Sequence, residues 1–467
     1  MTRPRTNIGR RSSRSERNYR YQASQSDAHL AREFTNNLQK FGYTACRWCA
    51  QKTLTQQRDG PLTCLKCSKD ALKFSAVNNM LPSSVPDAVK GLSVVEQMLI
   101  ARVNVVMRVV QLRACRGQGQ LRYRGNIINI EQDVQEIATQ LPHTPSSLSI
   151  LLVRRQGASG YADFRVRRSK VLNALIWLRS NNKWYQHIII DQAVINTLPQ
   201  DGDITAQLQS RDESGLDEEQ FDDDDVTENA LPRIMNERQQ AQVEHLLWPQ
   251  ASPTPINEFR TEGFIPMAFP HLFPDGSCDF NDFSRLKTVT LREWAEQMIR
   301  HKDDRFAQDP RFRFYLLNMI QRHDACKQGA VFAKRSDIHG NVEQLRSEAW
   351  HNPAILQKLM FWSSKVRGSN PYWYQRQQEL LALVNRLGAP TLFITLSSAD
   401  LWWPCLTKHY GIPIEQLNSM SESEIAKLMQ KKLSQNPLIA DEYFDLRVKE
   451  FLRILNKKIK ITDFWYR

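Results

Sequence analysis

The chain has 467 residues, with 63 Lys and Arg against 50 Asp and Glu, and it is 41% hydrophobic and 9% aromatic. That apolar content is enough to bury cores, which excludes a wholly disordered polymer, and the length predicts about two to four domains. No run of about 18 uncharged apolar residues occurs, which excludes a membrane-spanning helix.

Charge placement is more informative than the total. Residues 1–20 hold seven Arg and one Glu, whereas residues 201–228 hold twelve acidic residues and one Arg. A basic arm and a moderately basic remainder, separated by an acidic segment, point to a polyanionic partner such as nucleic acid. The N-terminus lacks the apolar run of a secretory signal, so the eight Cys are read as thiols and not as a disulfide framework.

In chain order, residues 1–40 read as a disordered basic arm, rich in Arg, Ser, Gln and Asn. Residues 41–77 carry Cys46-x2-Cys49, fourteen intervening residues, and Cys64-x2-Cys67. Each pair places two thiolates on one tight turn, and four soft ligands suit a closed tetrahedral zinc site. Gly60-Pro61 supports a turn between the pairs. So short a segment, a small four-Cys zinc ribbon, has too little core to fold alone, and structural zinc would supply the missing stability. Cys115, Cys278, Cys326 and Cys405 are scattered and read as packing residues.

Residues 78–200 predict a small α/β domain. Leu92, Val95, Leu99, Val103, Val106 and Val110 recur at helical spacing, predicting a helix over 92–112. LSILLVRR (148–155) predicts a buried strand, and Val166, Val171, Ala174, Leu175 and Leu178 predict a helix ending near Asn181 and Asn182. HIIIDQAVINTLP predicts a further strand. Residues 201–260 read as an acidic linker, because adjacent carboxylates repel and apolar area is scarce.

Residues 261–467 predict a second globular region. TLREWAEQMIRH places Leu291, Trp294, Ala295 and Met298 on one stripe behind a Thr cap, and DPRFRFYLLNMIQRHD begins a second helix near Pro310. NPYWYQRQQELLALVNRLG ends at Gly388, a suitable C-cap. TLFITLS reads as a buried central strand and KITDFWYR as the start of its neighbour. If that sheet is left unpaired, Phe393, Phe464 and Trp465 should be exposed at its edge. Two helices are expected between them, the last with Phe444, Val448, Phe451, Leu452 and Leu455 on one face. The fold class is therefore mixed α/β (α+β) and multidomain.

The sequence holds no GxxxxGK[ST], HExxH or GxSxG motif, so no catalytic residues are assigned. Basic residues interleave with aromatics in LRYRGN, DFRVRRSK and DPRFRFY, a pattern that pairs phosphates with guanidinium groups and unpaired bases with rings. With the arm, this nominates Arg3, Arg5, Arg10, Arg11, Arg122, Arg124, Arg167, Arg168, Arg311 and Arg313 for nucleic-acid contact.

GFIPMAFPHLFPDGSCDF, LREWAEQMIRHKDDRFAQDPRFRFYLLNMIQR and RGSNPYWYQRQQELLALVNRLGAPTLFITLSSADLWWPCL resemble, in that order, the Helitron helicase-like N-terminal domain of rolling-circle transposon proteins. The resemblance spans about residues 260–467, which makes the last domain an incomplete α/β endonuclease-like unit with many helices. GLSVVEQMLIARV, YRGNIINIEQDV and Leu141-Pro142 resemble the uncharacterised domain found upstream in such proteins. The resemblance implies single-stranded DNA as partner, nuclear action, strand nicking through a His-hydrophobic-His metal pair and tyrosines, and a helicase in the same polypeptide. Arg467 stands just short of where that metal pair is expected, so these residues alone are not expected to cut DNA or hydrolyse ATP. The sequence therefore predicts an N-terminal, DNA-binding part of a Helitron-type protein. The alternative is a host-retained, non-catalytic DNA- or chromatin-binding protein.

Overall fold

A computed structural model describes residues 25–56, 60–103, 105, 109–111, 121–123, 138–148, 151–154, 164–204, 207, 209–212, 258–335, 364, 369–398, 400 and 403–465. It is a mixture of helices and small two-stranded sheets gathered around three buried cores.

Residues 25–39, read from the sequence as part of the arm, instead form helix α1 (Gln25–Gln39). Leu30, Phe34 and Leu38 recur every fourth residue, and Leu38 is buried. The helix lies along the last helix of the chain, Pro437–Lys458. Asn37 donates to Glu450 at 2.8 Å, Arg453 pairs with Glu33 at 2.9 Å, and Lys458 pairs with Asp27. A helix of this length is marginal alone, so these tertiary contacts decide its state.

Strands β1 (Phe41–Ala45) and β2 (Lys52–Gln56) form an antiparallel hairpin, with Ala45 opposite Lys52. Helix α2 (Leu65–Lys69) follows. Cys46, Cys49 and Cys67 do not form a core of their own. They belong to the first core, with Phe264, Phe273, Trp294, Phe306 and Phe312.

The buried residues of the second core come from between Val89 and Ile204. Helix α3 (Val94–Ile100) opens on a capping box in which Ser93 accepts from Glu96 N–H and the Glu96 carboxylate accepts from Ser93 N–H. It stops at Ala101, earlier than the periodicity predicts. There Arg102 N–H donates to the Met267 carbonyl at 2.9 Å, and the β-branched run that follows yields β3 (Val109–Gln111), antiparallel to β4 (Leu121–Tyr123). Strand β5 (Gln140–Leu141) precedes the predicted strand in LSILLVRR, which appears as β6 (Leu151–Arg154). After β7 (Arg165–Val166), helix α4 (Arg168–Asn181) buries Val171, Ala174, Leu175 and Leu178 as predicted, and Val166 lies in β7. Only Ile189–Ile190 of HIIIDQAVINTLP is strand (β8, parallel to β5). Asp191 accepts from the Ala193 and Val194 N–H groups and so caps α5 (Gln192–Thr197). The region read as linker begins with β9 (Gly202–Asp203), paired to β7, and β10 (Gln209–Asp212), paired to β6. The run of carboxylates after residue 212 lies outside the described residues.

The first core is completed by α6 (Phe264–Ala268), α7 (Leu291–Ile299), α8 (Arg305–Gln308) and α9 (Pro310–Arg335). Thr290 caps α7 as expected, and together with Glu293 it forms a capping box. The two cores meet at residues 182–185. Asn182 donates to the Phe273 and Pro274 carbonyls, Trp184 Nε1 donates to the Gly276 carbonyl at 3.0 Å, and the Tyr185 hydroxyl donates to Ile100 and Met267.

Helix α10 (Asn370–Leu387) ends at Gly388, whose φ of 86° is open to glycine and strained for other residues. TLFITLS is not the buried strand expected. Residues 391–398 make no strand pairing among the described residues, and Phe393 is 96% exposed. The described residues of KITDFWYR, 460–465, likewise form no strand, contrary to the expectation that a neighbouring strand starts there, and Phe464 is 53% and Trp465 39% exposed. A β-prone run becomes a strand only when a neighbour takes its N–H and C=O groups. Between these segments, α11 (Pro404–His409), α12 (Ile414–Asn418), α13 (Glu422–Gln435) and α14 (Pro437–Lys458) surround the third core. The buried face of α14 is Ile439, Ala440, Tyr443 and Arg447, not the predicted stripe beginning at Phe444.

His409 sits between Tyr43 and Tyr443, with ring centroids at 5.8 and 4.9 Å. Burial, reinforced by Lys408, pushes its pKa from 6.5 down to about 4. The unfolded chain therefore takes up this proton first, and stability contributed by the neutral ring is lost as pH falls from 6.5 toward 4. A His409→Gln variant is expected to show a flatter dependence of melting temperature on pH across that window than the wild type.

Candidate metal centre

The hairpin turn between β1 and β2 carries Cys46 and Cys49. Cys46 N–H donates to Gln51 O, and Ala50 N–H to Cys46 O, both at 2.9 Å. Arg47 N–H donates to Leu62 O at 3.0 Å, which brings the second Cys pair alongside. Cys64 is the N-cap of α2, its sulfur accepting from Cys67 N–H at 3.5 Å. All four sulfurs lie within 4.8 Å of one another, and Cys49 and Cys64 Sγ are 3.7 Å apart. Tetrahedral zinc with bonds of about 2.3 Å requires sulfur separations of about 3.8 Å.

The electrostatics agree with a bound cation. Burial raises the Cys49 thiol to about 12 and raises Cys67 further. Burial also opposes ionisation of Cys46, but N–H donors from Cys49, Cys64 and Trp48 outweigh it and bring that thiol down to about 7. Thiols this close cannot all ionise without a compensating charge, and a divalent cation provides it. The N–H groups aimed at Cys46 and Cys64 sulfurs are outer-shell donors that orient thiolates. The four cysteines fit a metal ion.

Helix α7 holds this site from behind. Gln297, fully buried, reaches the carbonyls of Cys49, Phe74 and Met80 with its side-chain amide at 3.3, 3.1 and 2.8 Å. Lys66 pairs with Glu296 at 2.6 Å and Lys73 with Glu293 at 2.7 Å. Past the end of α7, Lys302 N–H donates to Ala50 O at 3.0 Å and Gln51 bridges to His301. None of these partners is signalled by the Cys spacing. Gln297 is a polar residue beside an apolar stripe, and its burial depends on contacts more than 200 residues away in sequence.

Of the basic residues nominated from sequence, Arg3, Arg5, Arg10, Arg11 and Arg124 lie outside the described residues, and of Arg122 only the backbone is described. Of the other four, Arg167, Arg168 and Arg311 are engaged within the fold, and Arg313 is half-buried. Arg167 grips the buried Glu96 carboxylate at 2.7 Å, and Arg168 donates to Leu198 O at 2.7 Å. Arg311 is 9% exposed with its guanidinium over the Phe269 ring, and burial lowers the pKa of Arg313. Among the described residues, no helix is long and apolar enough to cross a membrane.

Residues 294–467 match the family model described as the Helitron helicase-like domain at the N-terminus. Residues 68–196 match a domain of unknown function, DUF6570. The chain thus carries a segment that matches the Helitron helicase-like domain, with a second recognised domain upstream. That family implies nucleic acid as a partner. No curated protein and no solved structure matches the chain.

Proposed function

We propose that this chain is a DNA-binding part of a Helitron-type rolling-circle transposition protein that engages single-stranded DNA in the nucleus. The match over residues 294–467 carries the reading. Zinc held by Cys46, Cys49, Cys64 and Cys67 has a structural role, fixing the ribbon against α7. The arm arginines Arg3, Arg5, Arg10 and Arg11 neutralise phosphates, joined by Arg122 and Arg124. Arg167, Arg168 and Arg311 contribute less, because their guanidinium groups already serve the fold, and Arg313 contributes less because it is partly buried.

These residues bind DNA rather than cut it. The sequence holds no His-x-His pair. Tyr443 is fully buried, and burial raises its pKa, so its hydroxyl is unsuited to attack a phosphate.

Fluorescence anisotropy on a labelled single-stranded oligonucleotide tests the proposal. Affinity should fall steeply with salt, as phosphate contacts release counterions, and removing residues 1–20 should lower the slope of log K against log salt. Affinity insensitive to both changes would refute the proposal.

A further inference from the structure

The outer face of the ribbon carries a feature that the metal site does not use. Trp48 is 43% exposed at the tip of the first Cys-x-x-Cys turn, and Leu65 is 85% exposed at the tip of the second. Arg47 is exposed beside Trp48, its guanidinium carbon 5.2 Å from the ring centroid. The turn that presents them is fixed on both sides by Cys46 and Cys49 and by the Arg47 N–H bond to Leu62. The ring is therefore held out to solvent by a rigid turn.

Charge selects the occupant. Residues 41–74 contain six Lys and Arg and two Asp, a balance of +4, and the charge of a four-thiolate zinc centre would still leave it positive. The inward cations, Lys66 and Lys73, are taken by Glu296 and Glu293 of α7. Arg47 and Lys69 remain on the outer face, exposed. An exposed indole with an exposed guanidinium against it suits a flat apolar group bearing an anion, which describes an unpaired nucleotide.

We infer that Trp48 and Arg47 form a subsite for one unpaired nucleotide of single-stranded nucleic acid, the indole stacking on the base and the guanidinium meeting the adjacent phosphate. The inference rests on the nucleic-acid reading above and names a residue-level contact within it.

The test compares wild type, Trp48→Ala, Trp48→Phe and Arg47→Ala for binding to a fluorescein-labelled oligothymidylate at several salt concentrations, with zinc content measured for each. Stacking of one base predicts a loss of about five- to a hundred-fold for Trp48→Ala, with the salt slope unchanged. Trp48→Phe should recover most of the affinity. Arg47→Ala should lower the salt slope by about one phosphate contact. Trp48→Ala binding as tightly as wild type, zinc retained, overturns the assignment while leaving the wider reading standing, and would leave the patch to a protein partner. A wild-type chain that binds no oligonucleotide at low salt overturns the wider reading and this subsite together.

Discussion

Chelating the metal, or replacing Cys46 and Cys64 together by Ser, is expected to loosen α7 along with the ribbon. Three of the four cysteines are packed in the core that contains Phe264, Trp294 and Phe312, and Gln297 ties the carbonyls of Cys49, Phe74 and Met80 to α7. Structural zinc contributes about 10–16 kcal/mol in small zinc-finger peptides. Losing even a third of that should lower the melting midpoint by about 10 °C or more in a unit of this size. Amide hydrogen exchange should then show lost protection in residues 41–56, 60–80 and 291–302. Loss confined to residues 41–75 would mean that the ribbon is an independent module and that the contacts of Gln297 add little.

Substituting Gly263 is expected to uncouple the two larger cores. Its φ is 75°, and a Cβ there would stand 2.3 Å from Trp184 Cε2. Gly276, with φ 76°, meets the same indole from another side, at 2.6 Å from Cδ1. The ring cannot retreat freely, because its Nε1 donates to Gly276 O and Asn182 beside it holds Phe273 and Pro274. Left-handed strain and steric overlap together should cost about 2–4 kcal/mol for Gly263→Ala. The Trp184→Ala, Gly263→Ala double variant should recover part of that loss, since it removes the overlap. A Gly263→Ala protein as stable as wild type in denaturant titration would rule this account out.

Local chemistry was legible in the sequence, and long-range chemistry was not. The Cys pairs declare a site because each pair's geometry is set within four residues. Thr290 with Glu293, Ser369 before α10 and Gly388 after it likewise mark helix ends through neighbours in sequence. The predicted helix over 92–112 overran because VNVVMRVV keeps an apolar period that suits either state, and Met267, far along the chain, ends it at Ala101. TLFITLS has the β-branched and aromatic content of a strand, a content that cannot report whether a neighbour is present. Helix α1 did carry a signal, Leu30, Phe34 and Leu38, but it was outweighed by the polar composition around it. The basic and aromatic interleaving at Arg167 and Arg311 proved to accompany internal packing, with Glu96 and Phe269 as partners.

The pairing of α1 with α14 sets an order of events during synthesis. Asn37 and its acceptor Glu450 are 413 residues apart, so at about 5–20 residues per second the ribosome completes α1 tens of seconds before its partner emerges. The hairpin that follows α1 faces a shorter delay, since Gln297 arrives 248 residues after Cys49. A nascent chain can therefore bind metal and seat the ribbon on α7 while α1 is still unmatched. Closure of the first helix on the last is a late step, governed by translation and loop closure rather than by α1 itself.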